Sequence, residues 1–165
     1  MKSENKAKKI ARKISLITIS TVCIYEGSKY IHNKIAKMQK NVNQNIRLYY
    51  LMNRWTQNLQ NGKSIAEWLK TRGYNNVSIY GMGIVSETLI SELSEGGVNV
   101  LYGIDQNPNK AYLPENMQVC YPDENLPDAD IVIVTIISAY PVVKAALNNK
   151  LACPIISIED LVYNL

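Results

Sequence analysis

Residues 77–80, Val-Ser-Ile-Tyr, run directly into Gly81-Met82-Gly83, and a helical pattern with Leu89, Ile90 and Leu93 on one side occupies 85–95. A β-branched run that ends in two glycines one residue apart, and then changes to helical period, leaves few folds open. Gly81 and Gly83 stand at the first two positions of a GxGxxG turn. There the missing side chains permit a tight bend and let the main chain approach a pyrophosphate. The third position is Ser86, small enough for the helix to pass near the strand. Its hydroxyl can donate to a phosphate or cap the helix through its own backbone. A second strand over 98–104 ends at Asp105, about twenty residues past the glycines, where a carboxylate can accept hydrogen bonds from ribose hydroxyls.

The remaining pattern extends this βαβ unit. Residues 117–121 read as a strand, 131–136 as a continuous buried strand, 140–149 as a helix and 154–158 as a last strand. Five short strands alternating with helices predict an α/β fold, a single Rossmann-like open parallel sheet of order 3-2-1-4-5 over residues 74–165. Between the second and third strands only 106–116 remain, with Pro108 and Pro114, so a loop is expected in place of a crossover helix.

Cofactor-binding residues follow from that turn. Gly81, Met82, Gly83 and Ile84 are expected to offer backbone amides at a helix N-terminus, with Ser86 behind them and Asp105 on the ribose. Like-charge repulsion from Asp105 disfavours a 2′-phosphate, which selects NAD or a UDP- or ADP-type nucleotide sugar. No catalytic or metal-binding residue is predicted. Tyr140 and Lys144 have the YxxxK spacing in which a lysine activates a tyrosine, but 11 tyrosines among 14 lysines yield such pairs by chance, as Tyr25/Lys29 and Tyr30/Lys34 do. Pro141 directly after Tyr140 also marks a helix start. Asp123, Glu124, Asp128 and Asp130 surround two prolines, and a solvated loop with a helix cap accounts for them. Cys23, Cys120, Cys153 and the single His32 lie too far apart for a structural zinc or a disulfide framework.

Charge divides the chain of 165 residues in two. Residues 1–72 hold 15 Lys and Arg against 3 acids, and 73–165 hold 3 bases against 11 acids: a basic arm and an acidic globule. The globule repels nucleic acid and the arm lacks spaced aromatics, so nucleic-acid binding is not expected. Residues 1–42 form the arm. Twelve uncharged residues, 14–25, follow Lys6, Lys8, Lys9, Arg12 and Lys13, but twelve helical residues span only about 18 Å of a hydrocarbon core of roughly 30 Å. No A-x-A site follows, which argues against cleaved export. Ile10, Ile14, Ile17, Thr21, Ile24, Ser28, Ile31, Ile35, Met38 and Val42 alternate steps of four and three along one helical stripe. That stripe can lie in a membrane interface, pair as a coiled coil, or pack on the chain's own globule. Attachment to the cytoplasmic membrane face without crossing is the expectation. Residues 43–73 read as a helical hairpin: Leu48, Met52, Trp55 and Leu59 share a face, Asn61-Gly62 breaks the helix, and Ser64 with Glu67 makes a capping box for a helix over 65–72. Trp68 and Leu69 of that helix are expected in the core against the sheet.

The run 64–107, with "IYGMG" followed by "YGID", then "LPDADIVIVT" and "CPIISIEDLV", resembles small Rossmann-like domains encoded with bacterial capsule and other surface-polysaccharide genes. The resemblance covers roughly 45–165. It implies a nucleotide or nucleotide-sugar role at Gly81, Gly83 and Asp105, in an accessory protein that is non-catalytic alone. Two alternatives stay open. One is an NAD-dependent sugar oxidoreductase or epimerase completed by a partner. The other is an interaction module with an empty turn, tethered through residues 1–42 to the membrane or a membrane glycosyltransferase, or forming a homo-oligomer.

Overall fold

The computed structural model of the chain describes residues 2–107, 114 and 117–165, with side chains at 21, 23 and the later positions among them. Two compact units divide it, 1–47 and 48–165. Helix α1, Lys2–Gln60, runs unbroken through both the stripe and the Leu48 to Leu59 face, which the sequence presented as separate patterns. Nothing between them stops a helix: residues 36–60 hold no proline or glycine. In the first unit Ile24, Ile31, Ile35, Met38 and Val42 are all exposed, so the described part of the stripe is apolar surface open to solvent. No helix among the described residues is long and apolar enough to cross a membrane.

The second unit holds α2 (Ile65–Lys70), β1 (Asn76–Tyr80), α3 (Ile84–Glu95), β2 (Asn99–Ile104), β3 (Val119–Cys120), β4 (Ile131–Val134), a 3-10 turn (Ile137–Ala139), α4 (Tyr140–Leu147), β5 (Ile155–Ser157) and α5 (Ile158–Tyr163). All pairings are parallel and the order is β3-β2-β1-β4-β5, as the alternation of elements predicts. The segment read as a crossover loop falls mostly on 108–113 and 115–116, outside the described residues. Helix α5 was not anticipated. Ser157 ends β5 and caps it, accepting the Glu159 N–H at 3.1 Å, with Glu159 and Asp160 in its first turn.

Alternation along the strands builds two apolar layers. Val77, Ile79, Ile131 and Ile133 face a layer closed by Leu51 and Trp55 of α1, Ile65 and Leu69 of α2, Leu89 and Leu93 of α3, and Leu161 of α5. Tyr80, Val132 and Val134 face the other, closed by Val143 and Leu147 of α4. A bulge keeps β2 in step with both. Val77 pairs with Val100 but Ser78 with Tyr102, so Leu101 is the extra residue and Tyr102 and Ile104 turn to the α4 side.

Glu92 of α3 ties three helices together. Its carboxylate accepts Trp55 Nε1–H from α1 and the Ile65 backbone N–H at the start of α2. Ser64 accepts the Glu67 N–H at 3.1 Å, the first half of the capping box. Leu69 is fully buried as expected, whereas Trp68 is only half-buried. Its ring stacks with Tyr74 at 6.4 Å and carries the Arg72 guanidinium 4.0 Å from its centroid.

Candidate functional site

At the carboxyl ends of β1, β2 and β4 lies a cleft of about 350 Å³. In a sheet of this order the chain leaves β1 toward β2 on one side and reaches β4 and β5 on the other. The gap between β1 and β4 is therefore the switch point, where open α/β sheets bind ligands. Gly81, Met82, Gly83, Ile84 and Val85 line the cleft from the β1–α3 turn, Asp105 from the end of β2, Thr135 and Ile136 from the end of β4, and Leu48 from α1. Five of the six residues expected from sequence thus converge on one hollow. The sixth, Ser86, is fully buried beneath it.

The turn is held from several sides. Gly81 has φ +93°, a left-handed conformation in which an L side chain is strained. A Cβ there would also collide with the Ile136 side chain and sit 2.8 Å from Thr135 Oγ1. The Gly81 N–H donates to the Ile104 carbonyl at 2.8 Å, fastening the turn to β2. Thr135 Oγ1 is in hydrogen-bond contact with the Gly81 carbonyl at 2.5 Å and the Tyr80 carbonyl at 3.1 Å, fastening it to β4. The Met82 side chain is buried against β2, where a Cβ on Gly103 would lie 2.5 Å from its sulfur. The glycine of "YGID" is accounted for by that methionine.

Three of the four expected amides already have partners inside the protein. Gly81 N–H reaches Ile104, Met82 N–H donates to Asp105 Oδ2 at 2.8 Å, and Gly83 N–H donates to the Gly81 carbonyl at 3.1 Å. The first turn of α3, at Ile84 and Val85, lines the cleft. Gly83 is the N-cap and supplies no side-chain cap, and the space where its Cβ would stand is open for 4 Å. The Ser86 hydroxyl does neither of the two things expected of it: it makes no helix cap and donates instead to the Gly83 carbonyl at 2.6 Å.

Asp105 is half-buried at the cleft edge, with Oδ2 on Met82 N–H and Oδ1 on the Asn107 N–H at 2.8 Å. Each carboxylate oxygen accepts more than one hydrogen bond, so the group can serve ribose hydroxyls while holding the turn. Among the described residues it is the one charged side chain lining the cleft, with no Lys or Arg beside it. A phosphate at this place would rely on the α3 N-terminus for its counter-charge. Tyr80, just before the turn, is buried on the α4 side, and burial pushes its phenol above the ordinary 10.0 against a lowering hydrogen bond from Gln106.

The other sequence constellations lie elsewhere. Lys144 Nζ meets the Tyr140 hydroxyl at 3.1 Å, but that hydroxyl donates to the Ile155 carbonyl at 3.1 Å and neither residue lines the cleft. Asp130 accepts the Asn75 and Asn76 N–H groups at 2.9 and 2.7 Å, capping the start of β1, and Glu124 accepts the Tyr121 N–H at 3.0 Å. Among the described residues no three His, Cys, Asp or Glu side chains converge as a metal site. Burial pushes the Cys120 and Cys153 thiols up, which favours the protonated, unreactive form. Val85, Thr135, Ile136 and Leu48 line the cleft without having been expected there. The signal for Thr135 and Ile136 was their place directly after the apolar run of β4, at the switch point. No protein-family model, curated protein or solved structure matches the chain.

Proposed function

We propose that the protein binds the ribose-phosphate portion of NAD or of a nucleotide sugar in the cleft above Gly83, and does so without catalysing a reaction on its own. One observation carries the reading: an open hollow at Gly83 is flanked on one side by the uncapped first turn of α3 and on the other by the Asp105 carboxylate. The first favours a phosphate and the second ribose hydroxyls. Ile84, Val85 and Ile136 supply an apolar wall for the base or sugar ring. At about 350 Å³ the cleft stands at the small end of ligand pockets and suits half of a dinucleotide rather than the whole. The sequence resemblance supplies the setting, bacterial surface-polysaccharide assembly. The alternative of a partner-completed NAD-dependent oxidoreductase rests on Tyr140 and Lys144, which stand outside the cleft.

Calorimetric titration of the full chain with NAD, UDP-glucose and UDP tests the reading. Saturable binding below millimolar, weakened at least tenfold by Gly83→Leu, is the expected result. No heat with any of the three up to several millimolar overturns it and leaves the empty interaction module.

A further inference from the structure

We propose that α1 associates with further copies of itself, as a parallel, in-register coiled coil along the Ile10 to Val42 stripe. Its alternating steps of three and four set a heptad register with Ile14, Thr21, Ser28, Ile35 and Val42 at a and Ile10, Ile17, Ile24, Ile31 and Met38 at d. The helix spans the whole register without a break, and the described stripe residues beyond position 23 are exposed.

The seven-residue period of the stripe selects a second copy over a lipid surface. A repeat of seven drifts by about 20° per heptad on a straight α-helix, so between Ile10 and Val42 the stripe turns through roughly 90°. A flat bilayer loses such a stripe, whereas partners that supercoil keep it. Of the 11 bases in residues 1–47, eight stand at b, c or f and Lys6, Lys13 and Lys34 flank the seam at g, so the a and d layers themselves carry no charge.

Area is sufficient. The eight apolar seam side chains, at on the order of 100 Å² each, offer roughly 800 Å² per helix, which matches the about 800 Å² per partner of a standard interface. Parallel alignment places Thr21 on Thr21 and Ser28 on Ser28, so each hydroxyl layer meets its own kind and not an isoleucine. The proposal concerns residues 1–47 and is independent of the cleft.

Sedimentation equilibrium of the full chain, with three substitutions, tests it. Wild type is expected at an integer multiple of 18.6 kDa, Ile31→Lys at one chain, and Tyr30→Lys, an exposed residue at the outward c position, at the wild-type mass. Ser28→Cys should form an inter-chain disulfide under mild oxidation, while the exposed Cys23 of wild type, at c, should not. A monomeric wild type overturns the proposal, and if that monomer pellets with phosphatidylserine vesicles the stripe serves a membrane. Equal loss of mass in Ile31→Lys and Tyr30→Lys also overturns it, as does failure of Ser28→Cys to cross-link.

Discussion

Asp105, at the end of β2, accepts the backbone N–H of Met82 at 2.8 Å, so the carboxylate placed to read a ribose also closes the glycine turn. One residue therefore serves the fold and the proposed ligand, and the two roles separate by substitution. Asp105→Asn retains a carbonyl acceptor for Met82, whereas Asp105→Ala leaves that amide without its partner. We expect a loss of about 1–2 kcal/mol in urea unfolding for Ala and less than half of that for Asn. Both should weaken nucleotide binding. An Asn variant as unstable as the Ala variant would refute the division of roles.

The two glycines of the turn differ in the same way. Gly81→Ala meets a positive φ and a collision with Ile136, and should cost roughly 2–4 kcal/mol. Gly83 has φ −126° and open space, so Gly83→Leu should cost only about 1 kcal/mol, the loss of a favoured N-cap residue. Its side chain would fill the hollow and remove binding. Thermal melts paired with calorimetry check both, and a Gly83→Leu protein that still binds contradicts the proposed ligand position.

Glu92 gives the fold a pH signature. Burial holds its carboxyl above the ordinary 4.5, against hydrogen bonds from Trp55, Ile65 and Ala66 that pull it down. A folded value above the unfolded one means that the folded state binds the proton more tightly. The associated stability is complete below about 4.5 and is lost as pH rises through the raised value. The stability difference between wild type and Glu92→Gln, measured by urea unfolding from pH 4 to 7, should move against wild type as pH rises. A shift in its favour contradicts this.

Tyr140→Phe removes a hydrogen bond to Ile155 and a contact with Lys144, both remote from the cleft. Stability should fall by about 1 kcal/mol with nucleotide affinity unchanged. Loss of a measurable sugar-oxidising turnover in this variant would instead favour the enzyme reading.

Self-association of α1 carries an expected stoichiometry and salt dependence. Isoleucine at four of five d positions favours three or four strands over two. Residues 1–47 hold 11 Lys and Arg against two acids, so like charges gather in the assembly and screening should tighten it. Sedimentation in 50 mM and 500 mM NaCl should show the larger mass persisting to lower protein concentration at high salt. The opposite trend would point to charge-driven pairing of the arm with the acidic globule.

Sheet order, the glycine turn and the Asp105 position were legible because they depend on local pattern. β-branched runs such as 131–134 form strands wherever they are buried, and alternation with helices leaves few parallel orders. The continuity of α1 was readable in the absence of any breaker around Asn43, and α5 in Ser157 followed by two acids, but both were obscured by a change of apolar face or by the brevity of the segment. Trp68 escaped because helical period identifies a face and not how deep it lies.

Sequence by itself determined which elements form, how the strands are ordered and where the chain carries no side chain to block a ligand. These follow from backbone sterics and apolar period, which act over a few residues. Tertiary structure alone decided that Met82 N–H goes to Asp105, that Ser86 turns inward to Gly83, and that Thr135 and Ile136 complete the cleft. Those contacts join residues up to 55 positions apart, and their partners are chosen by how the strands register and the turn closes, which no local pattern encodes.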